Sequence, residues 1–238
     1  MKSLMIQGTS SGAGKTTLVA ALCRIFSDKG YSVAPFKSQN MSNFGYIAPD
    51  FEISRAQAIQ AFGARCEITS DLNPILLKPV GNYSSVVYLN GKRFKKMHAK
   101  EYYEKFVNSE GMKLASKSLK NLQKNFDLVI MEGAGSPAEI NLQKYDIANM
   151  KIAKKANANV LLVTDIDKGG SFASLAGTMA LIEKQYQKLV KGFIFNKFRG
   201  DIDVLKPGFK KLKNFTNVPV VGTIPVSYTH LTLPTKRI

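Results

Sequence analysis

The sequence has few of the residues that form redox or metal centres. It contains two cysteines and two histidines among 238 residues. Cys23 and Cys66 lie among apolar neighbours in helical patterns, which predicts buried thiols rather than a disulfide, a metal ligand or a nucleophile. Neither His98 nor His230 pairs with a cysteine in a recognisable catalytic motif. We therefore expect neither redox nor thiol chemistry.

Long apolar runs are also absent. Runs such as residues 160–164 and 192–195 are far shorter than the roughly 20 residues that cross a bilayer. Residues 1–7 lead directly into a glycine-rich loop, which indicates a first core strand and not a signal peptide. A hydrophobic content of 45% allows one main domain. We expect a cytoplasmic protein with no membrane partner.

Acidic residues are scarce: the sequence has 17 Asp and Glu residues and 34 Lys and Arg residues, which gives a formal net charge of +17. This charge permits an anionic partner such as nucleic acid, phosphates or a polycarboxylate. Most lysines are scattered over predicted helix surfaces, and no basic motif interleaved with aromatic residues occurs. We therefore expect no nucleic-acid partner.

Short β-rich runs alternate with amphipathic helical stretches along the chain. The predicted strands are residues 4–7, 32–36, 128–131, 160–164, 192–195 and 220–224. The predicted helices are residues 15–29, 54–64, 99–124, 147–155, 174–184 and 204–213. Residues 71–92 interrupt this order with Asn73-Pro74 and Asn90-Gly91, which predicts an irregular stretch containing a β-hairpin. The alternation predicts an α/β fold with a doubly wound, mostly parallel sheet.

The strongest motif is the glycine-rich run from Gly8 to Thr16, between a predicted strand and a predicted helix. In that context backbone amides surround phosphates, Lys15 reaches the β and γ oxygens, and the Thr16 hydroxyl binds Mg²⁺. Gly8 lies one residue further from Gly14 than in the usual phosphate loop, but the glycines, the lysine and the threonine are all present. The motif predicts a P-loop NTPase-type domain that binds ATP and Mg²⁺.

Polar side chains also end several predicted strands, at the sheet edge where ligands gather in such folds. Glu132 ends the strand at residues 128–131 and is placed to hold Mg²⁺ opposite Thr16. Asn196 ends another strand, where its amide could contact the adenine edge. The predicted ATP-binding residues are Gly8, Thr9, Ser10, Ser11, Gly12, Ala13, Gly14, Lys15, Thr16, Thr17 and Asn196.

The loop after the second predicted strand, residues 37–43, is dense in hydrogen-bonding side chains. Such a loop could bind carboxylates or amides, with Lys37 neutralising charge near the γ-phosphate. We therefore predict Lys15 and Lys37 as catalytic residues. The predicted substrate-binding residues are Gln39, Asn40 and Ser42. Glu52 is a further candidate metal ligand, although an acid near a helix N-terminus explains it equally well.

Seven segments occur in the order GTSSGAGKTT, PFKSQNMS, RAQAIQA, NPILLKP, MEGAGSPAEINL, DIDKGGSFASL and NKFRGD. Together they resemble the synthetase domain of the cobyric acid synthase family, whose fold is shared with dethiobiotin synthetase and the partitioning ATPases. The resemblance covers residues 1–225, which predicts one amidoligase domain. It implies that ATP phosphorylates side-chain carboxylates of a corrin, adenosylcobyrinic acid a,c-diamide, in cobalamin biosynthesis. Ammonia would then displace the phosphate from each acyl phosphate.

Comparison with dethiobiotin synthetase implies individual roles. Lys37 matches a lysine of the substrate loop, Glu132 a magnesium ligand and Asn196 an adenine-contacting asparagine. Arg55 stands where that enzyme has a metal-binding aspartate, so Glu52 is a candidate replacement.

The resemblance ends before the glutaminase domain into which full-length family members continue. It therefore implies free ammonia, or a separately supplied glutaminase, as the nitrogen donor. Residues 226–238 depart from the family and resemble translated sequencing-adaptor sequence, so we expect a non-native tail on a truncated chain. A homodimer is also compatible with the sequence.

Other functions remain open at this point. A partitioning-type switch ATPase that binds nucleic acid or a membrane shares the fold. Those proteins resemble one another in having an extra lysine early in the phosphate loop. This chain has Ser10 at that position, which argues against this alternative. Another carboxylate-activating relative, such as dethiobiotin synthetase or the a,c-diamide synthase, is a second alternative. An inert fragment that exposes apolar surface is a third.

Overall fold

A computed structural model describes residues 3–226. The predicted non-native tail, residues 226–238, lies outside the described residues apart from Val226. The strands are β1 (Ser3–Gly8), β2 (Val33–Phe36), β3 (Gln39–Met41), β4 (Gly45–Ile47), β5 (Glu52–Ser54), β6 (Ile75–Pro79), β7 (Ser84–Leu89), β8 (Lys92–His98), β9 (Leu128–Glu132), β10 (Asn159–Asp165), β11 (Val190–Phe198) and β12 (Val220–Pro225).

The six predicted helices occur in the predicted order with shifts at their ends, but the predicted helix at residues 99–124 is divided into two α-helices, and the short helix Lys184–Gln187 was not predicted. They are α1 (Lys15–Asp28), α2 (Arg55–Ala64), α3 (Ala99–Glu101), α4 (Met112–Asn125), α5 (Met150–Lys155), α6 (Ser171–Leu181), α7 (Lys184–Gln187) and α8 (Lys206–Thr216). A π-helical segment, Tyr102–Gly111, joins α3 to α4. Within residues 3–226, no helix is long and apolar enough to span a membrane.

A six-stranded parallel sheet with the order β12-β11-β10-β1-β9-β2 forms the centre of the fold. Successive residues of its strands point to opposite faces, so the sheet buries two sets of apolar side chains. Ile6, Val33 and Val163 pack in the core that contains Cys23 of α1. Met5 and Leu162 pack in the larger core on the other face. The α/β class and the parallel sheet predicted from the alternating pattern are confirmed.

The interrupted stretch, residues 71–92, is more regular than its sequence indicates. A second sheet with the order β3-β6-β7-β8 pairs β3 and β6 in parallel and the other strands antiparallel. The predicted hairpin is present as β7 and β8, joined at Asn90 and Gly91. Both residues have positive φ angles, 47° and 77°, as a tight hairpin turn of this kind requires. The pairing of β3 with β6 places the loop after Lys37 beside this sheet.

Asn73 connects the second sheet to the loop at Lys37. Its amide Nδ2 donates to the backbone carbonyls of Lys37 and Ile75, both at 3.0 Å, and its Oδ1 accepts from the Ser54 amide at 3.1 Å. The residue is 1% exposed. Because all three partners are backbone groups away from water, removing the side chain would leave them unpaired.

We expect Asn73→Ala to lower the free energy of unfolding by about 3 kcal/mol, since three buried hydrogen bonds are lost. Urea denaturation of the variant and the parent chain measures this difference. Asn121→Ala is the matched control, because Asn121 makes an exposed hydrogen bond to Asp71. An Asn73→Ala effect as small as that of the control would contradict the role of Asn73.

Candidate functional site

The glycine-rich loop connects β1 to α1. Gly12 and Gly14 have φ angles of 76° and 98°, which side-chain-bearing residues rarely adopt. Gly14 also has no room for a side chain, since an added Cβ would lie 2.0 Å from Nδ2 of Asn196. That amide donates to the Ala13 carbonyl at 2.8 Å. Asn196, predicted to contact adenine, therefore lies directly against the loop.

The remaining predicted ATP-binding residues lie at the end of β1, in the loop and in the first turn of α1, and their nucleotide contacts stay predictions. Thr9 Oγ1 donates to Thr164 Oγ1 at 3.2 Å, which ties the loop to the end of β10. Gly8 is the last residue of β1, and the Ser10 carbonyl accepts a hydrogen bond from Lys15. Ser11 and Thr17 are exposed.

Lys15, the first residue of α1, is 7% exposed. Its Nζ donates to the backbone carbonyls of Ser10 at 3.0 Å and Gly135 at 2.8 Å. Burial, together with the nearby charge of Lys37, lowers the pKa of Lys15 to about 8, and Glu132 acts in the opposite direction. The ammonium group is therefore poorly compensated, and an anion placed beside it would be stabilised.

Glu132 ends β9 and is 2% exposed. Its Oε1 accepts from the Thr16 hydroxyl at 2.9 Å and from Lys37 Nζ at 2.7 Å. Its Oε2 accepts from Nε2 of Gln60 at 2.5 Å and of Gln57 at 3.4 Å. The structure thus brings together three of the predicted site residues, Thr16, Lys37 and Glu132, at the carboxyl edge of the sheet.

Gln57 and Gln60 were not predicted as site residues. Both are 0% exposed on α2, on the helix face that also buries Ala58 and Ala61. Gln60 Nε2 additionally donates to the Thr16 backbone carbonyl at 3.3 Å. The sequence feature that could have indicated them is a pair of glutamines three residues apart on an alanine-rich helix. Glutamine side chains at buried helix positions need hydrogen-bond partners.

The predicted substrate-binding residues lie on or just after β3 and have separate local partners. Gln39 Oε1 accepts from the Tyr102 hydroxyl at 2.7 Å. Asn40 Nδ2 donates to Ser54 Oγ at 2.5 Å and to Gln57 Oε1 at 3.2 Å. Ser42 Oγ accepts from the Phe44 amide at 3.0 Å. Through Gln57, Asn40 is linked to the group around Glu132, and the substrate role of all three stays a prediction.

Glu52, the further metal ligand predicted from sequence, is not hydrogen-bonded to this group. Its Oε1 forms an ion pair with Lys78 of β6. Among residues 3–226, no cluster of three or more His, Cys, Asp or Glu side chains could hold a metal ion. In this structure β5 directs the Glu52 carboxylate to the second sheet, and its role as a metal ligand stays a prediction.

Asp165, buried at the end of β10, forms a second charge pair near the loop with the partly exposed Lys197. Its Oδ2 lies 2.6 Å from Nζ of Lys197, which also donates to the Gly12 carbonyl at 3.2 Å. Lys197 has a φ of 62°, so the backbone of β11 takes an unusual conformation next to Asn196. This pair supports the loop on the side away from Glu132.

Three cavities surround these groups. One of about 520 Å³ lies beside Lys197 and the residues that follow β11. One of about 310 Å³ lies between β3 and residues 134–149, and includes Gln39 and Gly135. One of about 410 Å³ is lined by Thr16 and Lys37 together with the residues around Arg55. These cavities adjoin the site at Lys197, Gly135 and Thr16, and could take a nucleotide and a second molecule.

Residues 4–232 match the family described as CobQ/CobB/MinD/ParA nucleotide binding domain. The chain belongs to this family. It is 52% identical over 226 residues to a probable cobyric acid synthase of Methanococcus voltae, a match that covers 94% of this chain and 97% of that protein. The resemblance to cobyric acid synthases inferred from the motifs is confirmed.

Two other relatives are longer. A probable cobyric acid synthase of Thermococcus kodakarensis is 54% identical over 94% of this chain and 46% of its own length. A cobyric acid synthase of Clostridium botulinum is 51% identical over 98% of this chain and 47% of its own length. The chain spans about half the length of these two relatives.

Solved structures of lower similarity share the fold. The signal recognition particle 54 kDa protein of Aeropyrum pernix superimposes with a TM-score of 0.54 and 16% identity, over 95% of this chain and 42% of that one. FtsY of Thermotoga maritima gives a TM-score of 0.50 and 19% identity, over 95% of this chain and 62% of that one. These likenesses support the P-loop NTPase-type fold that the sequence predicted.

The low pKa of Lys15 predicts a pH-dependent nucleotide affinity. The pKa of Lys15 is about 8 in the free chain, and phosphate oxygens beside the ammonium group would raise it. Nucleotide binding near pH 9 therefore takes up a proton. The nucleotide affinity consequently falls as the pH rises above about 8. Calorimetric titration of Mg-ATP in two buffers with different ionisation heats measures the proton uptake. Equal affinity at about pH 7 and about pH 9, with no proton taken up, would contradict this account of Lys15.

Proposed function

We propose that this chain catalyses the ATP-dependent amidation of corrin side-chain carboxylates, converting adenosylcobyrinic acid a,c-diamide towards cobyric acid in the cytoplasm. The observation that carries the proposal is the grouping of Lys15, Thr16, Lys37 and Glu132 beside two cavities. The names of the relatives supply the substrate class. The proposal includes no role for nucleic acid or a membrane, and a homodimer stays a prediction.

The donor atoms at Thr16 and Glu132 fit Mg²⁺. A hydroxyl and a carboxylate are hard oxygen ligands, and the two side chains already lie in hydrogen-bond contact at 2.9 Å. Bound there with ATP, Mg²⁺ would neutralise charge on the phosphoryl group that is transferred. Lys15 supplies a positive charge from the loop side, and the cavity beside Lys197, which follows Asn196 in the chain, takes the nucleoside.

The chemistry proceeds in two displacements. A substrate carboxylate oxygen bonds to the γ-phosphorus while the bond from that phosphorus to the β-bridging oxygen breaks, giving an acyl phosphate and ADP. Ammonia then bonds to the acyl carbon, the carbon–oxygen bond to phosphate breaks, and one ammonia proton leaves with the phosphate as HPO₄²⁻. Activation is needed because a carboxylate is a poor electrophile until its oxygen becomes a leaving group.

Lys37 is the residue that connects the two displacements. It is anchored by Glu132 at 2.7 Å and begins the loop that carries Gln39, Asn40 and Ser42. Its ammonium group compensates negative charge shared by the γ-phosphate and the incoming carboxylate. The three polar residues that follow orient the substrate carboxylate and the amide product.

We place the nitrogen source outside the described part of the chain. Both of its cysteine thiols are free, and burial raises the pKa of each, that of Cys66 to about 11. They are therefore protonated near neutral pH and unsuited to glutamine hydrolysis. Free ammonia, or a glutaminase domain supplied separately, provides the nitrogen.

The test is ADP release by the purified chain with Mg²⁺, ATP and ammonium, with and without cobyrinic acid a,c-diamide, together with the mass of the corrin product. We expect corrin-dependent ADP release and the mass change that replaces hydroxyl by amino groups. Lys15→Met should lower the rate by about 100-fold or more, because a charge that stabilises the transferring phosphoryl group is removed.

Two controls make the result decisive. Omitting ammonium should stop amide formation, and Lys184→Met, an exposed lysine at the start of α7, should keep the parent rate. ATP bound by a chain that releases ADP independently of corrin would contradict the amidation and favour a switch ATPase.

A further inference from the structure

The cavity of about 410 Å³ beside Thr16 has a mixed lining. Its polar residues include Thr16, Lys37 and Arg55, and its apolar residues include Met41, Phe44 and Ile59. No acidic side chain lines it among the residues that the structure describes. The cavity is therefore suited to a large, partly apolar molecule that carries carboxylates.

The two cations of this cavity are not equivalent. Lys37 is buried and forms an ion pair with Glu132 at 2.7 Å, so it already has an acidic partner within the protein. Arg55 is exposed, and in residues 3–226 its guanidinium makes neither a hydrogen bond nor an ion pair. The uncompensated positive charge of the cavity thus belongs to Arg55.

The position of Arg55 in its helix is electrostatically unfavourable. It is the first residue of α2, where the partial positive charge of the helix N-terminus disfavours a cation. The Arg55 amide donates to the Phe44 carbonyl at 3.1 Å, and the Ser54 hydroxyl accepts from the Ala56 amide at 3.3 Å. The backbone is therefore already satisfied, and the guanidinium is the group at this helix end that still lacks a partner.

The apolar residues that line the cavity are exposed to solvent. Met41, Phe44 and Ile59 are 54%, 71% and 50% exposed. Because exposed apolar groups next to a polar site commonly mark a binding surface, a substrate that covers them would gain from their burial. A macrocycle with carboxylates at its edge can contact the cations and the apolar residues of the cavity at the same time.

We propose that Arg55 binds a substrate carboxylate and that Met41, Phe44 and Ile59 contact the body of the same molecule. This assignment rests on the proposed function and adds a substrate-binding residue to it. A guanidinium presents paired N–H donors that match the two oxygens of a carboxylate, which the single ammonium of a lysine does not. Arg55 holds the acid while Lys37 faces the phosphoryl group.

The test compares the parent chain with Arg55→Met, Arg55→Lys and the control Arg93→Met, in which an exposed arginine of β8 is changed. Binding of cobyrinic acid a,c-diamide in the presence of Mg-ADP is followed by equilibrium dialysis through the corrin absorbance. Mg-ATP affinity is measured separately by calorimetry, and the KM for corrin by ADP release.

We expect Arg55→Met to weaken corrin binding and raise the corrin KM by about 10- to 100-fold, as for loss of a charged hydrogen-bond pair. Mg-ATP affinity should change by less than about twofold, Arg55→Lys should recover part of the loss, and Arg93→Met should match the parent.

Unchanged corrin affinity in Arg55→Met, with a parent chain that binds corrin, would overturn this assignment and leave the proposed function intact. An equal loss of Mg-ATP affinity would also overturn it, because Arg55 would then belong to the nucleotide site. A parent chain that binds no corrin would instead remove the proposed substrate, and this assignment with it.

Discussion

A carboxylate buried at the end of β9 has to be compensated, because an unpaired ion held away from water costs several kcal/mol. Glu132 meets this requirement with donors from three separate parts of the chain. Thr16 comes from the start of α1, Lys37 from the loop after β2, and Gln57 and Gln60 from α2. The phosphate loop, the predicted substrate loop and α2 are therefore held in one arrangement by a single side chain.

This arrangement leaves the site with excess positive charge. Lys15 and Lys37 approach one acid, Glu132, and burial already lowers the pKa of Lys15. Arg55, which lines the adjoining cavity, adds a cation without an acidic partner in residues 3–226. Phosphate and carboxylate groups are the anions that such a site would stabilise, and amidation through an acyl phosphate brings both together.

The parts predicted from sequence depend on local patterns. The P-loop needs only a strand, a glycine-rich turn and a helix in succession. The carboxyl ends of parallel strands lie at the same edge of the sheet, which places Glu132 near Thr16. Gln57, Gln60 and the ion pair of Glu52 with Lys78 depend on contacts between distant segments. The parallel pairing of β3 with β6 has the same origin. No local periodicity specifies these contacts, so the sequence alone could not place Glu52 beside Lys78.

The most direct test of the central role of Glu132 is the Mg²⁺ affinity of the chain saturated with nucleotide, measured for the parent, Glu132→Gln and Glu52→Gln. The glutamine retains the size of the side chain at Glu132 but removes the charge that a hard cation requires. The account predicts affinity at least about tenfold weaker in Glu132→Gln and unchanged in Glu52→Gln. Unchanged affinity in Glu132→Gln, or an equal loss in Glu52→Gln, would contradict it.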